Sequence, residues 1–103
     1  MGEGFEVVLG VAADHPALRG HFPGAPVVPG VVILGQLLAE TERRLGRPLS
    51  VSGISQAKFL APLLPGEEAR AVLQMDRERL TFRVERAGRV IAQGIFLLRG
   101  EVA

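Results

Sequence analysis

Residues 20–30 read GHFPGAPVVPG, with three prolines and three glycines set around a single histidine. Each proline fixes φ near −65° and removes a backbone donor, so the stretch excludes the interior of a helix or a central strand. An ordinary linker needs no such stiffness; a rigid, irregular path suits a segment that holds a side chain in place. Directly after it, apolar residues at Val31, Leu34, Leu38 and Leu45 keep helical spacing, while Glu40, Glu42, Arg43 and Arg44 gather towards the far end. One helix is predicted from about Gly30 to Leu45. Arg43 and Arg44 suit the negative end of its dipole, and Gly46 with Pro48 supplies the stop. Its first half, VVILGQLLA, is apolar nearly all round and is expected to be buried, with the second half emerging into solvent.

The remaining chain has strand character. Phe5 to Ala13 is apolar-rich and ends at the structure-breaking Asp14, His15 and Pro16. After the helix come Leu49 to Phe59, Ala69 to Met75, Leu80 to Val84 and Val90 to Leu98, separated by turn signals. In LTFRVE, Leu80, Phe82 and Val84 alternate with Thr81, Arg83 and Glu85, and Ala87 with Gly88 makes a hairpin turn into the last run. That run is apolar on both faces, as expected of a central strand or one covered by a partner. One strand, one long helix and then a series of antiparallel strands is an α+β order. At 103 residues the chain suits a single domain, residues 1–103.

Composition narrows the function classes. Hydrophobic residues make up 48% and charged residues 22%, far from the signature of disorder. Twelve Lys and Arg against eleven Asp and Glu argue against a general electrostatic grip on nucleic acid or anionic membrane. The absence of cysteine removes disulfides, a thiolate nucleophile and Cys-based metal sites, which points to a cytoplasmic setting. No secretory leader is predicted, and the longest apolar run, Ala25 to Leu34, falls short of the ~20 residues that span a bilayer. His15 beside Pro16 reads as a loop histidine with no second metal ligand at suitable spacing.

The stretch GHFPGAPVVPGVVILGQLLAE, residues 20–40, resembles the signature of the 3-hydroxyacyl-(acyl carrier protein) dehydratases of fatty-acid synthesis. GISQAKFLAPLLPGEE, residues 53–68, is similar to the family's strand, turn and strand after the helix. The resemblance implies a hot-dog fold, an antiparallel sheet wrapped around one long central helix, and a dimer or larger assembly with acyl tunnels at the subunit interface. It implies that His21 is the base that removes the α-proton of a 3-hydroxyacyl thioester. By the same carry-over, Gly30 donates its backbone N–H to the thioester carbonyl, and the carbonyl of Val27 fixes the histidine's tautomer. The chemistry agrees: a weakly acidic α-proton needs a base with a near-neutral pKa, and the charge growing on oxygen needs a fixed donor. A helix N-terminus favours that charge.

Phe22, Phe59 and Leu60 are expected to line the tunnel or the core. Arg19, Lys58 and Arg70 are candidates for contact with an acidic acyl carrier protein, whose phosphopantetheine carries the substrate. No metal or redox cofactor is implied.

The family pattern breaks at one place. The family's second catalytic residue, a Glu or Asp fourteen positions after the histidine, protonates the departing hydroxyl; here that position is Gly35. Loss of a positioned acid typically costs ~100- to 10,000-fold. Gln36 points about 100° away, and Glu40 lies about 7.5 Å further along the axis, so neither substitutes. In the family the histidine and the acid of one site come from different subunits. The sequence therefore leaves three readings: a dehydratase-type lyase, a half-site or non-catalytic subunit completed by an acid-bearing paralogue in a heterodimer, and a hot-dog thioesterase. The last is disfavoured because no acid stands in the apolar half of the helix.

Overall fold

The computed structural model describes residues 3–11 and 27–99. Its elements are β1 (Glu3–Gly10), α1 (Gly30–Leu45), β2 (Val51–Phe59), β3 (Glu68–Met75), β4 (Arg79–Arg86) and β5 (Arg89–Leu98). The strands form one antiparallel sheet in the order β1-β3-β4-β5-β2, so β1 and β2 are its edges and β5 has a neighbour on each side. The helix bounds match the predicted span. Gly46 closes α1 in the left-handed conformation, φ 73°, and returns its N–H to the Glu42 carbonyl at 2.8 Å.

Alternation selects the inner face of the sheet. Leu80, Phe82 and Val84 are buried from β4, Ala69, Ala71 and Leu73 from β3, and Phe5 and Leu9 from β1. They pack with Ile33 and Leu37 of the helix in one core. Phe82 faces Gly94 across the β4–β5 ladder, and its ring lies 5.3 Å from that of Phe96, two residues on. Gly94 is required here, because a Cβ would meet the Gln56 carbonyl oxygen and come within 2.7–2.9 Å of the Phe82 ring.

The turns follow their local chemistry. Ala87 (φ 50°) and Gly88 (φ 79°) both adopt positive φ in the two-residue β4–β5 hairpin, as a type I′ turn requires. Between β3 and β4 the Asp76 carboxylate accepts the N–H groups of Glu78 and Arg79, each at 2.8 Å, and these bonds hold its pKa below the usual value.

The helix differs from expectation in which parts are covered. Its fully buried stripe is Ile33, Leu37 and Thr41, so burial runs into the second half, where the Thr41 hydroxyl donates to the Leu37 carbonyl at 2.7 Å. In the first half, Val31 is 73% exposed, and Gly35 and Ala39 are exposed too. The sheet covers one side of the helix, and apolar character on the other side has no cover within the described chain.

Gly94→Ala is expected to lower the free energy of unfolding by about 1–3 kcal/mol, because a backbone oxygen cannot swing aside as a side chain can. Urea denaturation measures it; an unchanged midpoint would show that the β2–β5 pair yields without cost.

Candidate active site

Gly30 opens α1 behind Pro29, which offers no side-chain cap, and the first turn carries no acidic residue. Val32 and Ile33 both donate to the Pro29 carbonyl, at 3.0 and 3.3 Å. That leaves the N–H groups of Gly30 and Val31 without an intrahelical acceptor, as the first turn of any helix must. Among the described residues, the positive end of the helix dipole therefore carries donors without an acceptor, and its first turn holds no competing carboxylate.

Phe59, at the end of β2, sets the other wall. A Cβ on Gly30 would lie 2.7–3.0 Å from the tip of the Phe59 ring, so the glycine lets the ring close directly over the backbone of the first helical residue. Phe59 remains 47% exposed and the neighbouring Leu60 58% exposed. The structure thus brings together Gly30 and Phe59. His21 and Phe22 lie outside the described residues, as do His15 and Arg19.

Residues 60–67 form a strap that fixes both chain ends flanking residues 12–26. Leu63 is buried, and its carbonyl accepts the Val28 N–H at 2.8 Å, one residue after Val27. Gly66 donates to the Val11 carbonyl at 2.7 Å. The strap is itself held: Leu60 N–H donates to the Ile91 carbonyl at 2.8 Å, Leu64 N–H to Glu67 Oε1 at 2.8 Å, and the Arg86 guanidinium donates to Glu67 Oε1 at 3.0 Å and to the Pro62 carbonyl. The second stretch that resembled the dehydratases is therefore the anchor of the first. Sequence reasoning gave the strap no such part, although APLLPGE carried a signal in its two prolines and glycine.

Gly35 sits on the exposed side of α1, and nothing lies within 4 Å of the position a Cβ would take. A packing role for this glycine is thereby excluded among the described residues. Gln36, beside it, has its amide occupied: Nε2 donates to the Gly10 carbonyl at 2.8 Å and Oε1 accepts the Gly10 N–H at 3.2 Å. It was the one polar side chain in an apolar run, a signal of a specific partner that the sequence could not name. Arg70 pairs with Glu6 at 3.5 Å on the outer side of the sheet, and Lys58 lies on edge strand β2.

Residues 2–95 match the family model described as ApeI-like, ApeI dehydratase. The chain belongs to the ApeI-like dehydratase family. It is 32% identical over 110 residues to a 3-hydroxyacyl-(acyl-carrier-protein) dehydratase, FabZ, of Haemophilus influenzae strain PittEE, with 99% of this chain and 70% of that protein covered. The FabZ of Actinobacillus succinogenes is 33% identical over 86 residues, covering 76% of this chain and 57% of the other. Among solved structures, the dehydratase heterocomplex ApeI:P from Xenorhabdus doucetiae superposes with a TM-score of 0.82 at 29% identity, over 92% of this chain and 86% of that one. The (R)-hydratase of A. caviae involved in PHA biosynthesis aligns with a TM-score of 0.71 at 16% identity, over 97% of this chain and 96% of that one, a likeness of fold alone. The expected hot-dog fold is the observed one. Among the described residues, no helix is long and apolar enough to cross a membrane.

Because the Gly35 position is open and helical, Gly35→Ala is expected to raise stability by about 0.5–1 kcal/mol through helix propensity alone. A rise in Tm by calorimetry checks this; a fall would mean that a neighbour fills the space.

Proposed function

We propose that this chain is a dehydratase-type subunit acting on 3-hydroxyacyl thioesters tethered to a carrier protein, with its site completed by a second subunit. His21 removes the α-proton, its tautomer set by the carbonyl of Val27. The negative charge moves onto the thioester oxygen, to which the Gly30 N–H donates a hydrogen bond at the positive helix end. Collapse of the enolate expels the 3-hydroxyl, which leaves as water once an acid gives it a proton, and the product is the 2-enoyl thioester. Phe59 and Leu60 line the entry beside Gly30, and the resemblance adds Phe22 as a candidate for the tunnel wall. The acyl chain arrives on phosphopantetheine, and the chemistry calls for no further cofactor.

The observation that carries the reading is Gly35. On an α-helix, residues 30 and 35 are turned about 140° apart and separated by about 7.5 Å along the axis. A side chain at 35 is therefore directed away from the Gly30 donor, which fits an arrangement in which one subunit's base and donor meet another subunit's acid. The uncovered apolar residues Val31, Ile54, Phe59 and Leu60, on the helix start and on or beside edge strand β2, support such pairing. A partner bearing a Glu or Asp at the position equivalent to 35 supplies the missing proton. The solved ApeI:P relative is itself a heterocomplex. Carrier contact through Arg19, Lys58 and Arg70 and a cytoplasmic setting belong to the same proposal; a homodimer that acts without a partner's acid is the alternative to it.

A mass-spectrometric dehydration assay on a 3-hydroxyacyl carrier protein tests it with wild type, His21→Ala and Gly35→Glu. The expected result is a weakly active or inert wild type, a gain of about 100-fold or more for Gly35→Glu, and loss of that gain when His21→Ala is added. Full activity of the wild type alone removes the need for a partner's acid. A Gly35→Glu variant that folds but stays inert, alone and with acid-bearing relatives, overturns the dehydratase reading.

A further inference from the structure

The Val28 N–H that binds the strap belongs to the same planar peptide group as the Val27 carbonyl. No peptide bond among the described residues is cis, so the N–H and C=O of one peptide group point in opposite directions. With the Val28 N–H on the Leu63 carbonyl at 2.8 Å, the Val27 carbonyl is turned away from the strap. The acceptor is built the same way. The Leu63 carbonyl shares its peptide group with the Leu64 N–H, which donates to Glu67 Oε1 at 2.8 Å. That oxygen accepts a second bond, at 3.0 Å, from Nη1 of Arg86 at the end of β4, and Nη1 also donates to the Pro62 carbonyl. Two peptide groups and one ion pair thus run in a line from β4 to the residues just before α1.

Each link constrains the next. A peptide group held on one side can turn about its Cα–Cα axis; held on both sides, it cannot. The carboxylate on the Leu64 N–H also polarises that peptide, which makes the Leu63 carbonyl the stronger acceptor for Val28. The strap has other anchors, since Leu63 is buried, Leu60 donates to Ile91 and Gly66 donates to Val11. It would stay docked without Arg86, but with the peptide after Leu63 free to turn. The Arg86 and Glu67 side chains are 26% and 37% exposed, and an ion pair so placed adds little to global stability. Its effect is on direction.

We infer that Arg86 and Glu67 are positioning residues, which set the direction of the Val27 carbonyl from outside the proposed site. Neither touches substrate or reacting atoms. Their bearing on the reaction rests on the role proposed for that carbonyl as the acceptor that fixes a histidine's tautomer, a role that depends on where the oxygen points.

Arg86→Met, Glu67→Ala and the double variant test this in the wild-type chain and in the Gly35→Glu background, with Arg86→Lys as the conservative change. Two NMR readouts report direction: the coupling carried through the hydrogen bond between the Val28 nitrogen and the Leu63 carbonyl carbon, and the chemical shift of the Val27 carbonyl carbon. For Arg86→Met the expected result is a weaker coupling, a displaced Val27 shift and Val28 amide exchange faster by about 10-fold, while the Leu60 amide exchanges as before. Because the two residues act in one line, the double variant is expected to match Glu67→Ala alone. Arg86→Lys keeps the charge on a shorter side chain and is expected to fall between wild type and Arg86→Met. In an active background kcat is expected to fall about 3- to 10-fold with KM held within about twofold. Unmoved coupling and shift in the folded variants overturn the inference, as does equal acceleration at Leu60, which would mean that the whole strap has loosened, or a kcat that ignores a displaced carbonyl. If Arg86→Met does not fold, Glu67→Gln carries the test, since it leaves an oxygen for Leu64 and removes the charge. The NMR readouts need no turnover, so a chain inert in every background defeats the dehydratase reading while the direction of the Val27 carbonyl is still decided.

Discussion

Burial of one helical stripe against one sheet face organises this molecule. Ile33, Leu37 and Thr41 recur every fourth residue and meet the inward side chains of β1, β3 and β4; each aliphatic side chain so buried contributes roughly 1.5–3 kcal/mol. Because the sheet is single, it covers the helix from one side. The helix is nonetheless apolar nearly all round in its first half, so Val31, Gly35 and Ala39 face outward with no charged neighbour in the first turn. A surface of that kind, at a helix start beside an edge strand, suits burial by a second subunit, which is why the site is proposed to be shared.

The same packing sets the electrostatics of the helix end. With Pro29 as the cap residue and no side-chain acceptor, the Gly30 and Val31 donors have no acceptor among the described residues, and the ring of Phe59 closes over the glycine and shields one side of it. A donor that is free, fixed and partly screened from water is worth more to a developing oxyanion than one in open solvent. The strap at residues 60–67 adds rigidity through main-chain bonds, and Arg86 reinforces it by neutralising Glu67 and capping the Pro62 carbonyl.

Much of this was legible in the sequence. The helix limits could be read because caps and stops are local: proline and glycine at 29–30, glycine at 46. The β4–β5 hairpin could be read because Ala87 and Gly88 sit between two segments of strand character. The candidate donor at Gly30 and the missing acid at Gly35 were implied by the resemblance to the dehydratases. The side on which Gly35 falls could not, since an apolar run such as VVILGQLLA has no polar face to orient it. Nor could the partner of Gln36, because a side-chain amide bonds equally well to any exposed peptide group.

The sequence by itself therefore determined the elements and their order, which depend on residues within a turn or two of one another. The tertiary structure alone decided which helical stripe is buried, that Phe59 closes over Gly30, that the strap holds Val11 and Val28, and that Gln36 binds Gly10. Those contacts join residues tens of positions apart, and their partners are chosen by the packing of the whole sheet against the helix, which no local pattern encodes.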